Sequence, residues 1–370
     1  MKLVEGNNAF ATEIFRAAVA DGENLVFSPL SLYGALTMVW AGARGETAAE
    51  MSRALEYRLE PDEIHPVLGA FFVDLEKVSP GAEFSLVNRL WGQAGYDLLP
   101  EFSRLIGEYY RAGIAQLDFR QPEEARQAIN RWIEERTSGR IQGLIPAGVL
   151  TPLTRLVITN AIYFRADWET PFPKEWTTRS PFFTSKEEAV EVDLMRVVGD
   201  FHYLEAEDFQ AVELPYAGAG LAMTVILPSA RADPGRFSAA LRPNNPVLRP
   251  EKWPKRRVEV YLPRFRLLSG LRLDETLKRL GMIRAFSEEA DFSGIDGRRA
   301  LSISAVLHQA WIEVDEVGTE AAAATAVGIG VTAVPAPPVV FRADRPFAFM
   351  IRHRRSGAVV FWGRLAKPIV

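Results

Sequence analysis

Glu316-Val317-Gly318-Thr319-Glu320-Ala321-Ala322-Ala323-Ala324-Thr325-Ala326-Val327-Gly328-Ile329-Gly330 continues to Val340 with no charge after Glu320 and almost no large side chain. Four successive alanines favour helix, while the β-branched and glycine residues after them oppose it, so local propensity selects no single structure. Read as a strand, Thr319, Ala321, Ala323, Thr325, Val327 and Ile329 form one face, and Glu320, Ala322, Ala324, Ala326, Gly328 and Gly330 form the other. The first face can be buried and the second exposed. A strand with such small side chains can slide between two existing strands without a clash or a buried charge. On composition alone the stretch also reads as a flexible linker ahead of a C-terminal hairpin, and the flanking sequence decides between the two.

The chain around it has 370 residues, 48% hydrophobic and 24% charged, the composition of a soluble globular protein. Its net charge of −4 and pI of 5.8 give no general attraction to nucleic acid or anionic membrane. No cysteine is present, which excludes disulfides, zinc-thiolate sites, iron-sulfur clusters and thiol catalysis. The first residues lack the apolar stretch of a secretory signal, so a cytoplasmic location is expected, or an extracellular one if the sequence is a processed form. The longest apolar run, Leu32–Ala43, is too short to span a bilayer and reads as a buried helix.

Catalytic signals are lacking. His65, His202, His308 and His353 are far apart and none lies in an HExxH pattern, and no GxSxG elbow occurs. Gly328-Ile329-Gly330 lacks the third glycine of a dinucleotide loop, and no GxxxxGK[ST] is present. A triad assembled from distant positions stays open, because triads are recognised by geometry. No metal, no cofactor and no enzyme activity are expected.

The first third reads as helical over Asn8–Ala20, from Pro29 onward behind a Ser28 cap, and over Glu46–Leu55, Pro61–Lys77, Pro100–Tyr110 and Glu123–Arg136. The pattern then changes. Leu156–Phe164 is too apolar for a strand with one wet face and predicts a strand covered on both sides. Gln210–Pro215 with Leu221–Leu227, and Phe347–Arg352 with Ala358–Trp362, read as hairpins. Helices first and strands later make the fold class α+β. Arg242–Arg257, rich in Pro and Arg, reads as a surface connection.

Leu301–Ala310 and Ile312–Thr325 resemble the hinge and reactive-centre loop of the serpins, the serine protease inhibitor family, and Arg342–Phe347 and Phe361–Arg364 resemble its C-terminal strands. Asn24–Ser31, Thr159–Phe164 followed by Asp167-Trp168, and Ala290–Ile295 are similar to further family segments in the same order. The missing cysteines and secretion signal resemble a bacterial member, and the preference for Arg over Lys is compatible with heat tolerance.

The resemblance implies a single domain over residues 1–370, built from a large central mixed β-sheet, two smaller sheets, about nine helices and an exposed reactive-centre loop at about 316–341. It implies an inhibitor used once. A protease cuts the loop, and the loop enters the central sheet while the protease is still acylated. The implied hinge is Glu316, Gly318, Thr319, Ala321, Ala323 and Thr325. The implied shutter is Ser28, Ser31, Asn160 and His308, and the implied breach is Trp168, Arg264 and Glu316. Gln309 stands where many relatives carry lysine. Family spacing puts the reactive bond at Thr332–Ala333, with Val331 and Val334 as alternatives. The expected partner is a chymotrypsin- or subtilisin-type serine protease with a small to medium apolar primary pocket, acting on a monomer. Heparin is not expected, since the helix Pro61–Lys77 carries Asp62, Glu63, Asp74 and Glu76 against Lys77. Nucleic acid is not expected either, and Arg352, Arg354 and Arg355 read as a solvated cluster at a hairpin turn. A non-inhibitory serpin acting as a carrier or chaperone-like binder is the alternative.

Overall fold

Proline opens four of the six helices in the first third of the chain, where its missing N–H costs nothing. Those six are α1 (Lys2–Ala18), α2 (Pro29–Trp40), α3 (Gly45–Ala54), α4 (Pro61–Lys77), α5 (Pro100–Tyr110) and α6 (Pro122–Arg136), and two short helices, α7 (Asp274–Arg279) and α8 (Ser293–Asp296), come later. The computed structural model describes residues 2–18, 23–77, 83–110, 113–185, 187–218, 220–229, 249–316 and 337–368. Eight α-helices lie among these residues, against about nine expected. The bounds of α4 and α5 are as the sequence suggested. Helix α1 begins at Lys2 rather than Asn8, because tertiary contacts hold its first turns: Leu3 and Asn7 are buried, and the Asn7 amide donates to the Val359 carbonyl at 3.0 Å.

Five strands, β2 (Glu83–Gln93), β3 (Ile114–Leu117), β4 (Leu156–Arg165), β10 (Phe265–Arg272) and β11 (Ile303–Val314), form one sheet in the order β10-β11-β4-β2-β3. A second, nine-stranded sheet contains β1 (Leu25–Phe27), β5 (Thr178–Phe183), β6 (Ala189–Glu205), β7 (Phe209–Pro215), β8 (Leu221–Pro228), β9 (Lys255–Pro263), β12 (Val339–Arg342), β13 (Phe347–His353) and β14 (Val359–Leu365). It has two limbs, and the 17-residue β6 joins them. Its Leu194–His202 segment pairs β9 and its His202–Glu205 segment pairs β7, so the two smaller sheets are continuous through one strand. The β7/β8 and β13/β14 hairpins are both present.

Every residue of α2 is buried, and the helix packs against α1, β4 and β14. On the other face of the five-stranded sheet, Ile129 and Ile133 of α6 join Val87, Trp91, Val157, Ala161 and Leu307 in a separate apolar cluster. Burying each such isoleucine stabilises the fold by about 1.5–3 kcal/mol. Strand β4 is therefore enclosed from both sides, with only Arg165 partly exposed.

Two surface readings are corrected. Lys255–Arg257 belong to β9 rather than to a connection, although they are exposed. Arg352 is not solvated. It lies inside β13 at 2% exposure, its Nε and Nη1 lack hydrogen-bond partners, and burial lowers its pKa. Arg355 does reach solvent, where it pairs with Asp74 at 2.6 Å.

Candidate functional site at the β4–β11 seam

Strands β4 and β11 run parallel, paired from Ala305 opposite Val157 to Ile312 opposite Phe164, and both of them pair antiparallel with their outer neighbours β2 and β10. Their side chains alternate between the α2 side and the α6 side. Asn160 stands directly opposite His308. Both are fully buried.

Ser28 sits below them in two roles that follow from one geometry. Its extended backbone (φ −111°, ψ 103°) starts α2, and its Oγ accepts from the Ser31 N–H at 3.2 Å and donates to the Val360 carbonyl at 2.6 Å. The Ser28 N–H donates to His308 Nε2 at 3.1 Å. A backbone N–H can only donate, so Nε2 is the unprotonated nitrogen and Nδ1 carries the proton that goes to Asn160 Oδ1. The Asn160 amide donates to Ser31 Oγ and to Asn88 Oδ1. Ser28, Ser31, Asn160 and His308 thus form one network that crosses the seam and ties it to α2. Asn88 is a fifth member that sequence reasoning missed. A lone Asn in a strand carries no local signal, and only the register that sets Asn88 opposite Asn160 reveals it.

Burial lowers the pKa of His308 to about 3 and that of His65 to about 4. Protonating His308 would also set an N–H against the Ser28 N–H. Both histidines bind a proton near pH 6.5 in the unfolded chain but only below pH 4 in the folded one, so the unfolded state holds more protons in between. Stability is fully present above pH 6.5 and falls as pH drops toward the folded values. Between pH 7 and 5, above the range where carboxylates titrate, each is expected to cost about 2 kcal/mol. Urea denaturation at pH 7, 6 and 5 measures this, and a flat profile would contradict the neutral, enclosed imidazoles.

At the end of β11 the chain reaches Glu316, which is 2% exposed although charged. Arg264, directly after β9, clamps it with Nε to Oε2 at 3.1 Å and Nη2 to Oε1 at 2.6 Å, and Thr177 Oγ1 adds a bond of 2.7 Å. Burial pushes the Glu316 carboxyl up, but these hydrogen bonds outweigh it and hold the pKa below the usual value. Trp168 stacks on Tyr216 at 4.5 Å and donates from Nε1 to the Asp315 carbonyl at 2.9 Å. Trp168, Arg264 and Glu316 are therefore gathered at one end of the seam, with Trp168 acting through the neighbouring Asp315. Sequence reasoning missed Thr177, an exposed-looking loop threonine. Gln309 is buried with its Oε1 unpartnered. Gly318, Thr319, Ala321, Ala323, Thr325, Thr332 and Ala333 lie outside the described residues.

The sequence from residue 5 to residue 368 matches the family model described as Serpin (serine protease inhibitor). The chain is a serpin. This serpin is 39% identical to the leukocyte elastase inhibitor of Bos taurus, with 99% of this chain and 100% of the relative covered. It is 40% identical to an uncharacterized serpin-like protein of Thermococcus kodakarensis, over 99% of this chain and 86% of that one. Its fold matches uncleaved ovalbumin with a TM-score of 0.87 at 28% identity, covering 100% of both chains. It matches human thyroxine-binding globulin in complex with its hormone with a TM-score of 0.89 at 26% identity, covering 100% of this serpin and 99% of the globulin. The family is one of protease inhibitors rather than enzymes. Among the described residues no group of acidic or histidine side chains could hold a metal ion, and no helix is long and apolar enough to cross a membrane.

Proposed function

We propose that this serpin is an irreversible, single-use inhibitor of serine proteases, and that the loop is cut at Thr332–Ala333 and the acyl-enzyme is trapped as the loop enters the five-stranded sheet. The observation that carries the reading is the parallel β4–β11 pair. The residues after Glu316 leave from the C-terminal end of β11. A strand that turned back there would run antiparallel to β11 and β4 alike, and would replace one slanted parallel ladder with two antiparallel ones. The small alternating residues Thr319, Ala321, Ala323 and Thr325 suit that passage. With Gly318 they form the proposed hinge. Ser28, Ser31, Asn160 and His308 are the proposed shutter, and Trp168, Arg264 and Glu316 the proposed breach. The uncut state is then held by a barrier rather than by being the most stable state.

The loop holds no Arg or Lys between Glu320 and Arg342, so trypsin-like pockets find nothing to bind. Thr332 in the primary pocket favours elastase- or subtilisin-like enzymes, and chymotrypsin-like ones bind less well. Similarity to the leukocyte elastase inhibitors supports this choice. The reading comprises one domain over residues 1–370 that acts as a cytoplasmic, heat-tolerant bacterial monomer without heparin, nucleic acid or membrane partners.

The test is incubation with elastase-, subtilisin-, chymotrypsin- and trypsin-like proteases, followed by SDS gels and the mass of the released C-terminal peptide. An SDS-stable complex and a peptide beginning at Ala333 are expected. A peptide beginning at Thr332 or Pro335 moves the cut to Val331 or Val334, and one beginning at none of the three rejects the assignment. Cleavage without complex by every protease rejects the inhibitor. A carrier role is the second reading, supported by the similarity to thyroxine-binding globulin, and it predicts that last outcome.

A further inference from the structure

Three residues beyond Asn160 and His308, and on the opposite face of the sheet, Tyr163 and Trp311 stand directly across the same seam. Their ring centroids are 4.7 Å apart with the planes inclined by 37°. The Tyr163 ring is fixed from two further elements. Its hydroxyl donates to Glu83 Oε2 of β2 at 2.7 Å, and Arg140, beyond α6, lies 4.1 Å from the ring centroid and holds the same carboxylate at 2.9 Å. Further along the seam, Arg165 of β4 pairs with Asp315 at 3.4 Å.

We infer that the Tyr163–Trp311 pair is a clasp that sets the rate at which the seam opens. Admitting a strand requires β4 and β11 to part by about one strand spacing of 4.8 Å. The ring centroids then lie roughly 9–10 Å apart, outside the range in which aromatic pairs attract. The contact exists only in the closed seam and is lost before a new strand can supply anything in its place. It therefore raises the barrier to opening. Because Glu83 and Arg140 immobilise the tyrosine, β4 cannot carry its ring along as β11 departs. Asn160–His308 pins the α2 side of the seam and the aromatic pair pins the α6 side. In the inhibitory reading proposed above, on which this consequence alone rests, a tighter clasp delays insertion and favours turnover of the loop as a substrate.

The experiment is hydrogen exchange on the intact, uncut protein, read for Trp311→Leu, Trp311→Phe and Trp132→Leu. Trp132 lies on α6 and meets Trp91 of β2 edge to face, so it bridges no seam. In Trp311→Leu the amides of 158–164 and 306–312 are expected to exchange about three- to tenfold faster, the size of an aromatic pair, with those of β13 and β14 unchanged. Trp311→Phe, which keeps a ring across the seam, stays near the parent. Trp132→Leu leaves the seam amides alone. Unchanged seam exchange in Trp311→Leu, or acceleration spread evenly through both sheets, overturns the clasp. Complex formation by the parent protein is scored separately. A parent that forms no complex while its seam responds to Trp311→Leu refutes the inhibitor and leaves the clasp standing.

Discussion

Cutting the loop between residues 327 and 334 is expected to raise the melting temperature sharply without any change in composition. The nine-stranded sheet gains nothing from the cut, but the seam exchanges one ladder for two. About ten additional inter-strand hydrogen bonds, at roughly 1 kcal/mol each, amount to something on the order of 10 kcal/mol. For a chain of this length about 1–2 °C accompanies each kcal/mol, so the rise is about 10–20 °C. Burial of Thr319, Ala321, Ala323 and Thr325 adds to it. Thermal scans of intact and nicked protein, with both fragments retained, measure the difference. Equal melting of the two forms would restore a plain linker and remove the basis for trapping.

The second large effect is expected from Thr319→Arg. Glu316 is already enclosed at the end of the seam, so residue 319 is the first alternate position that must be swallowed for insertion to proceed. An unpaired guanidinium there costs several kcal/mol. A step slowed by about 3 kcal/mol runs more than a hundredfold slower, while hydrolysis of the acyl bond keeps its own pace. The variant should be cleaved at the parent's rate and release active protease. On an SDS gel, complex is replaced by nicked protein. Stoichiometric complex from Thr319→Arg would contradict the order of events, and loss of cleavage itself would point to a damaged recognition site instead.

Much of the architecture was legible because strong local signals coincide with the elements. Pro61 and Lys77 bound α4, Pro100 opens α5, and the largely apolar, β-branched run 156–164, interrupted only by Thr159 and Asn160, reads as an enclosed strand. The reach of β6 was not legible. Its burial alternates over much of its length, but it serves three partners in turn, β5, β9 and β7, and no local pattern marks His202 as the residue where β9 gives way to β7. The misreading of Arg352 has the same origin. Three arginines in four residues look solvated, yet a central strand turns the first of them inward. The proposed shutter and breach positions were named through family motifs. Their partners Asn88 and Thr177 came only from register and proximity, which sequence spacing does not encode. The Glu316–Arg264 pair belongs between these cases: two opposite charges were visible, but the enclosure of Glu316 was not.

The pairing of β1 with β14 sets a condition on biosynthesis. Leu25 meets Arg364 and Phe27 meets Trp362, so two strands from opposite ends of the chain must find each other. The cap residue of α2 binds the Val360 carbonyl, and Asn7 of α1 binds that of Val359. The first two helices pack on each other, and α2 on β4, but the surface they turn to β14 waits until that strand has left the ribosome. Contacts this distant in sequence make folding slow and leave sticky intermediates exposed. β11 and the segment after it emerge before β14, the strand that completes the second sheet. A chain that stops short of Val359 lacks that closing strand altogether and leaves the faces of α1 and α2 that meet it exposed to chaperones and proteases.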